Sequence, residues 1–262
     1  MKKIIIFLII ILITHISILY SKKDDFYAKF KITPVIDEVA INNIKYVEIK
    51  ANYDRFLSPE IVKLANNCYK KNLKWLKKAH KIYKVNPKII VAILTVESLC
   101  GNYHEKYNIV GVYKTLIKLN KDKKYQRKIF KIVKLKYPKT SKKWFKKRIL
   151  KKYKWAKKQL VALKKIYEKY KINVFNIKGS WAGAFGLPQF IPTTFLNYAV
   201  DGNKDGKINL DSFPDAIFSI ANYLKKNGWN ENFSNKKKYK VILRYNNSKL
   251  YAETILKLAG KI

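Results

Sequence analysis

Between Asn86 and Gly101 the chain reads NPKIIVAILTVESLCG, and this run limits the fold more than any other stretch. Asn86 is a good cap, Pro87 suits a first helical position and Gly101 suits a stop, so the spacing predicts a helix from Pro87 to about Leu99. Its side chains are almost all apolar, with no polar stripe to face water, which a helix tolerates only inside a core. Glu97 is its one carboxylate. In the last turn of such a helix, burial and the negative helix end both raise a carboxyl pKa, towards the range where a general acid works near neutral pH. The alternative is a glutamate at the helix rim, pointing to solvent.

The rest of the chain arranges itself around this core. From Ser58-Pro59-Glu60 a helix is expected, with Ile61, Leu64, Ala65, Cys68, Leu73, Trp75 and Leu76 at three-to-four spacing, ending before Asn86-Pro87. Residues 142–170 predict an amphipathic helix or a pair of helices. Gly179 to Phe190 is the Gly-dense stretch, followed by helical segments at Thr193–Val200, Pro214–Asn227 and Ser248–Leu258, with a polar acidic loop between the first two. Strand alternation is lacking, so the fold class is all-α, predominantly helical, with a small hairpin as the most β structure expected. Residues 22–57 mix charges with short Ile and Val runs around Pro34 and read as a linker or extended arm. Residues 58–262 form the expected catalytic domain.

Two lysines precede the uninterrupted apolar run Ile4–Ile13, so residues 1–21 read as an export signal. The bulky Ile18-Leu19-Tyr20 offers no small-residue cleavage site, leaving either a removed signal peptide or a retained signal anchor. Export favours a periplasmic protein, anchored to the inner membrane if the signal stays.

Charge narrows the partners less than its size suggests. With 57 Lys+Arg against 17 Asp+Glu the formal net charge is +40, and Lys121–Lys171 alone holds 23 basic residues against two acids. Such a surface attracts polyanions in a salt-dependent way, be they nucleic acid, anionic lipid or envelope polymers. Lysines that merely solvate outer helix faces give the same composition, and an export signal argues against a specific nucleic-acid partner. Two cysteines and three histidines exclude a disulfide scaffold, a zinc array and a multi-histidine metal site. Cys68 and Cys100, each in an apolar helical context, read either as a disulfide or as buried thiols.

ILTVESLCG, GSWAGAFGLPQFIPTTFLNYAVDGNKDGKINL, DAIFSIANYLKKNGW and RYNNSKLYAETILKLA follow one another in that order. Together they resemble the lysozyme-like lytic transglycosylases, most closely the membrane-bound lytic murein transglycosylase B family, glycoside hydrolase family 103, over about residues 59–258. The resemblance implies a lysozyme-like helical catalytic domain with little β structure. It also implies cleavage of the β-1,4 bond between N-acetylmuramic acid and N-acetylglucosamine in peptidoglycan, without water, to leave 1,6-anhydromuramoyl ends. It makes Glu97 the single catalytic acid and base, and maps substrate contacts onto Ser180, Gln189, Phe190, Tyr223, Tyr245, Asn246 and Tyr251. From the residues alone, Phe190 and Tyr223 are equally well core residues, Ser180 a helix cap and Tyr245-Asn246 a turn.

Peptidoglycan glycan strands and the envelope or membrane surface are thus the expected partners, with a monomeric protein and no organic cofactor. A goose-type lysozyme-like hydrolase and a non-catalytic glycan-binding envelope protein are the alternatives. Glu105, the nearest other acid, is expected at the surface. The family's arginine pair has no clean counterpart, Lys147-Arg148 being the nearest approach, and Cys100 and Pro188 stand where the family prefers other residues or varies.

Asp201-Gly202-Asn203-Lys204-Asp205-Gly206-Lys207-Ile208-Asn209 matches the first nine positions of an EF-hand loop. Oxygen ligands stand at positions 1, 3 and 5, glycine at 6 and a backbone carbonyl at 7. Position 12 is Ser212 rather than glutamate. The resemblance implies a longer loop closed by Asp215, and a structural Ca²⁺ held by Asp201, Asn203, Asp205, the Lys207 carbonyl and Asp215. The alternative is an Asx-rich turn without metal.

Overall fold

The computed structural model describes residues 25–45, 53–103 and 105–262. The expected export signal at 1–21 lies outside them. Residues 25–32 are helical (α1). They are followed by α2 (Asp37–Lys45), a 3-10 turn (Tyr53–Leu57), α3 (Pro59–Lys71), α4 (Leu73–Tyr83) and α5 (Pro87–Ser98). Next come strand β1 (Tyr107–Asn108), α6 (Ile109–Lys121), α7 (Lys123–Lys136), α8 (Lys142–Tyr170) and strand β2 (Lys178–Gly179). The chain closes with α9 (Pro192–Tyr198), α10 (Phe213–Lys226), α11 (Asn235–Tyr245) and α12 (Lys249–Ala259). The all-α expectation holds, and among the described residues no helix is long and apolar enough to cross a membrane.

α5 is the central rod. Ile89 to Thr95 are buried without a break, and α3, α4, α10 and α12 pack around it. Each such apolar side chain taken out of water contributes about 1.5–3 kcal/mol before entropy is subtracted. Asn86 caps the helix by accepting the Lys88 N–H. The helix ends one residue earlier than expected: Leu99, Cys100 and Gly101 all have positive φ, at 48°, 51° and 87°. For the two non-glycine residues this left-handed backbone costs about 1–2 kcal/mol each, and Ser98 steadies the turn by accepting the Gly101 N–H at 3.3 Å.

Three sequence expectations change. The segment taken as an arm, 22–57, is not extended where it is described: α1 buries Phe26 in the main core, and α2 buries Val39, Ala40 and Ile44. Ile and Val in short runs are the inward faces of short helices. The single helix expected from Ser58 breaks at Asn72, a buried residue whose side chain donates to the Cys68 carbonyl. Lys123–Lys136 and Asn235–Tyr245 form helices that the lysine background hides in the sequence.

The β structure among the described residues is a two-stranded ladder, Tyr107 opposite Gly179 and Asn108 opposite Lys178, and an isolated antiparallel bridge between Phe185 and Phe190. The ladder fastens the loop that follows α5 to the start of the glycine-rich segment. Gly179 is required there, since a Cβ would stand 2.3 Å from the Ala184 carbonyl oxygen.

Candidate active site

Glu97 sits in the last turn of α5, keeping part of its surface open at the molecular face while protein crowds its carboxyl group. Burial pushes its pKa up to about 7, opposed only in part by the Tyr251 hydroxyl. Tyr251, on α12, is 1% exposed and its hydroxyl has no hydrogen-bond partner of normal geometry. A hydroxyl turned towards a carboxyl group favours the ionised form without removing the cost of burying it. Glu97 is therefore a carboxylic acid poised between its two protonation states near neutrality.

The end of the glycine-rich segment, Gln189 and Phe190, lines a pocket nearby. Phe185 and Phe190 exchange backbone hydrogen bonds at 3.0 and 3.1 Å, closing a hairpin whose tip is Gly186-Leu187-Pro188-Gln189. Gly186 has φ 71°, and a Cβ there would stand 2.5 Å from the Leu210 Cβ. Gln189 adopts the same left-handed region at φ 50°, and, unlike glycine, its Cβ makes that conformation costly. The Leu187 N–H donates to the Leu210 carbonyl at 2.9 Å, and the Tyr245 hydroxyl donates to the Pro188 carbonyl at 2.6 Å, so the tip is held from two sides.

Tyr245 joins this segment to Tyr251. It hydrogen-bonds beside Gln189, stacks on Tyr251 with 6.4 Å between centroids and 9° between planes, and lies near enough to Glu97 for the Glu97 charge to disfavour ionisation of its hydroxyl. It also packs edge-on to Tyr223 at 4.8 Å. Gln189, Phe190, Ile191, Thr194, Tyr223, Arg244 and Tyr245 line a pocket of about 240 Å³. Glu97 is not part of that lining; Tyr245 is the residue the pocket and the carboxyl share.

Residues expected to contact substrate divide into two groups. Gln189 and Tyr245 are partly open, as are Asn246 at the end of α11 and Ser180, whose hydroxyl accepts the Ala184 N–H at 3.2 Å. Phe190, Tyr223 and Tyr251 are 2%, 8% and 1% exposed; Phe190 and Tyr223 line the pocket, and Tyr251 packs against Tyr245. The Tyr223 hydroxyl is already given to the Arg244 carbonyl at 2.6 Å.

Glu105 departs from expectation. It is half-buried, not a surface residue, and its Oε1 accepts the Gln189 Nε2 at 2.7 Å. Burial raises its pKa to about 7, with the Asp211 charge adding to the rise. Nothing local in the sequence marks it, because the contact spans 84 residues and depends on the β1–β2 ladder. Arg148 likewise turns inward, to the Asn43 carbonyl at 3.2 Å, and Lys152 reaches the Asn43 Oδ1 at 2.8 Å; Asn43 in turn holds the Trp181 carbonyl. Burial lowers the Lys152 pKa to about 8. Cys68 and Cys100 are buried free thiols in mutual contact.

The acidic loop forms as an Asx-rich turn. Asp201 accepts the Lys204, Asp205 and Gly206 N–H groups, Asn203 accepts that of Asp205, and Asp205 accepts that of Lys207. Asp215 is 1% exposed and clamps the loop by accepting the Gly202 and Asn209 N–H groups at 2.8 and 2.7 Å. Among the described residues no three Asp, Glu, His or Cys side chains converge as a metal cluster.

Residues 24–234 match the family model described as the transglycosylase SLT domain. A curated relative, membrane-bound lytic murein transglycosylase B of Escherichia coli strain K12, is 30% identical over 175 residues, which span 67% of this chain and 40% of the relative. Among solved structures, the lytic transglycosylase SltB1 of Pseudomonas aeruginosa superposes with a TM-score of 0.74 at 23% identity, covering 91% of both chains. SltB3 of the same organism, solved with NAG-NAM-pentapeptide, gives 0.68 at 21% identity over 91% of this chain and 77% of that one. The Escherichia coli lytic transglycosylase Slt35, solved with calcium, gives 0.63 at 23% identity over 80% and 76%. At these identities the structural likeness is one of fold; the family rests on the sequence match, and by it the chain belongs to the transglycosylase SLT domain family.

Proposed function

We propose that the protein is an exported lytic transglycosylase that cleaves the β-1,4 bond between N-acetylmuramic acid and N-acetylglucosamine in peptidoglycan. The observation that carries this reading is Glu97, a carboxylic acid held near pKa 7 at the cleft, with Tyr251 against it and the Gln189 wall joined to it through Tyr245. Glu97 protonates the glycosidic oxygen as the C1–O bond breaks. The resulting carboxylate then takes the proton of the muramoyl C6 hydroxyl as that oxygen bonds to C1, closing the 1,6-anhydro ring and restoring the acid. An internal hydroxyl already held on the substrate has a high effective concentration, so one carboxyl group serves both steps. The name of the curated relative and the peptide-bearing disaccharide bound by SltB3 agree with this substrate.

The half-buried Glu105 favours a second reading, hydrolysis, in which water replaces the C6 hydroxyl. Digestion of purified sacculi with wild type and Glu97→Gln, read by mass spectrometry, tests both. Anhydro-ended muropeptides are expected from wild type and none from the variant. Reducing-ended products would establish the hydrolase, and products from the variant would remove Glu97 from the chemistry.

A calcium ion in the acidic loop belongs to the same proposal. Its donors are oxygen only, as Ca²⁺ requires, and among the described residues the buried Asp215 carboxylate has no cationic partner. Asp201, Asn203, Asp205, the Lys207 carbonyl and Asp215 would hold it, and the ion would brace the loop before α10. Slt35 was solved with calcium.

A further inference from the structure

We propose that Glu105 is a positioning residue that fixes the Gln189 side-chain amide so that it meets the glycan as a hydrogen-bond acceptor. This rests on the glycan reading above. The Gln189 Nε2 carries two hydrogens, and both are committed: one to the Glu105 Oε1 at 2.7 Å, the other to the Gly186 carbonyl at 3.0 Å. With the amide reversed, the Gln189 Oε1 would face the Gly186 carbonyl, which cannot donate to it, and the Glu105 carboxyl group, which cannot donate in its ionised form. The pair therefore selects one orientation, and among the described residues no hydrogen bond uses the Gln189 Oε1, on a residue that lines the pocket.

The contact is built, not incidental. Gln189 is held at a left-handed φ by the hairpin, whose tip is fixed by Leu210 and Tyr245. Glu105 is placed by the ladder that starts two residues later at Tyr107. Around its carboxyl group stand the Gly186 N–H, which favours the ionised form, and Asp211, which opposes it. Among the described residues no cation pairs with Glu105, while its neighbour Lys106 is engaged by Glu38 at 3.0 Å. Glu105 is thus free to serve as the acceptor that Gln189 needs. An acceptor on the wall calls for a donor on the sugar, either a hydroxyl or the N–H of an acetamido group.

The test uses the full chain carrying Glu97→Gln, which removes turnover, and a GlcNAc–MurNAc tetrasaccharide as titrant in calorimetry. Glu105→Leu leaves the amide free to rotate and should weaken binding about tenfold, the usual cost of one lost buried hydrogen-bond partner. Glu105→Gln keeps an acceptor in place and should stay within about twofold of the parent. In a Gln189→Ala background, Glu105→Leu should add nothing, because the group it positions is gone. In the active enzyme the loss from Glu105→Leu should fall on KM more than on kcat.

Equal binding by Glu105→Leu and its parent overturns the inference, as does a tenfold loss that persists in the Gln189→Ala background. Parallel losses in Glu105→Leu and Glu105→Gln overturn it too, since they would mean that the charge itself contacts the sugar. A parent that does not bind the tetrasaccharide overturns the glycan reading, and this inference with it.

Discussion

The Tyr245 hydroxyl donates to the Pro188 carbonyl at 2.6 Å, so a residue at the end of α11 holds the hairpin tip that carries Gln189. Tyr245→Phe removes one buried hydrogen bond and keeps the ring stacked on Tyr251. A stability loss of about 1 kcal/mol is expected, with a rise in KM for glycan larger than the fall in kcat. Thermal melting and steady-state kinetics on sacculi check it; a pure kcat effect would mean that the ring's nearness to Glu97 matters more than the tether.

Glu97 has a folded pKa of about 7 against an ordinary 4.5. Between those values the folded protein binds more protons than the unfolded chain, so stability falls as pH rises through this window and stays lower above it. Glu97→Gln, neutral throughout, should melt above wild type at pH 8 by the equivalent of about 2–3 kcal/mol, and match it at pH 4. Coincident melting curves at pH 8 would show that the carboxylate is solvated after all.

The same proton sets the rate. A general acid must be protonated to act, so kcat/KM should decline as pH rises through about 7. Replacement by Gln should cost about 10²–10⁴-fold, the usual contribution of one acid–base group. A profile flat from pH 6 to 8 would rule out Glu97 as the proton donor.

Millimolar Ca²⁺ should raise the melting temperature of wild type, and Asp205→Ala should abolish that rise. Asp215→Ala should lower stability even without calcium, because the Gly202 and Asn209 N–H groups lose their acceptor. Identical melting of wild type with calcium and with chelator would leave the loop as a metal-free Asx turn.

Gly183 has φ 78°, and a Cβ there would lie 2.4 Å from the Tyr113 hydroxyl, which donates to the Gly183 carbonyl at 2.7 Å. Gly183→Ala should therefore destabilise by about 1–3 kcal/mol through clash and backbone strain combined. Chemical denaturation measures it, and a neutral result would mean that the loop has room the packing denies.

Local sequence was enough for much of the frame. α5, its Asn86 cap and its lone Glu97 follow from an apolar run bounded by Asn-Pro and Gly, and the fold class follows from spacing without strand alternation. The stretch from Gly179 to Phe190 stood out by its glycines, because close backbone approach and left-handed turns exclude most side chains, but the hairpin at its end and the left-handed Gln189 did not. Charge was a poor guide: lysines on outer faces blur helical periodicity, which hid α7 and α11 and made α1 and α2 look like an arm.

What the residues determined alone were properties of one segment: where a helix starts, what its faces are made of, which position carries an ionisable group. Only the tertiary structure decided what surrounds that group. The Glu97 pKa is raised by burial in the folded chain and moderated by Tyr251 from 154 positions away in sequence, and the Glu105–Gln189 bond needs a two-residue ladder to bring two loops together. Desolvation and hydrogen bonding act over a few ångströms in space, whatever the separation along the chain, so they become readable only once the chain has closed on itself.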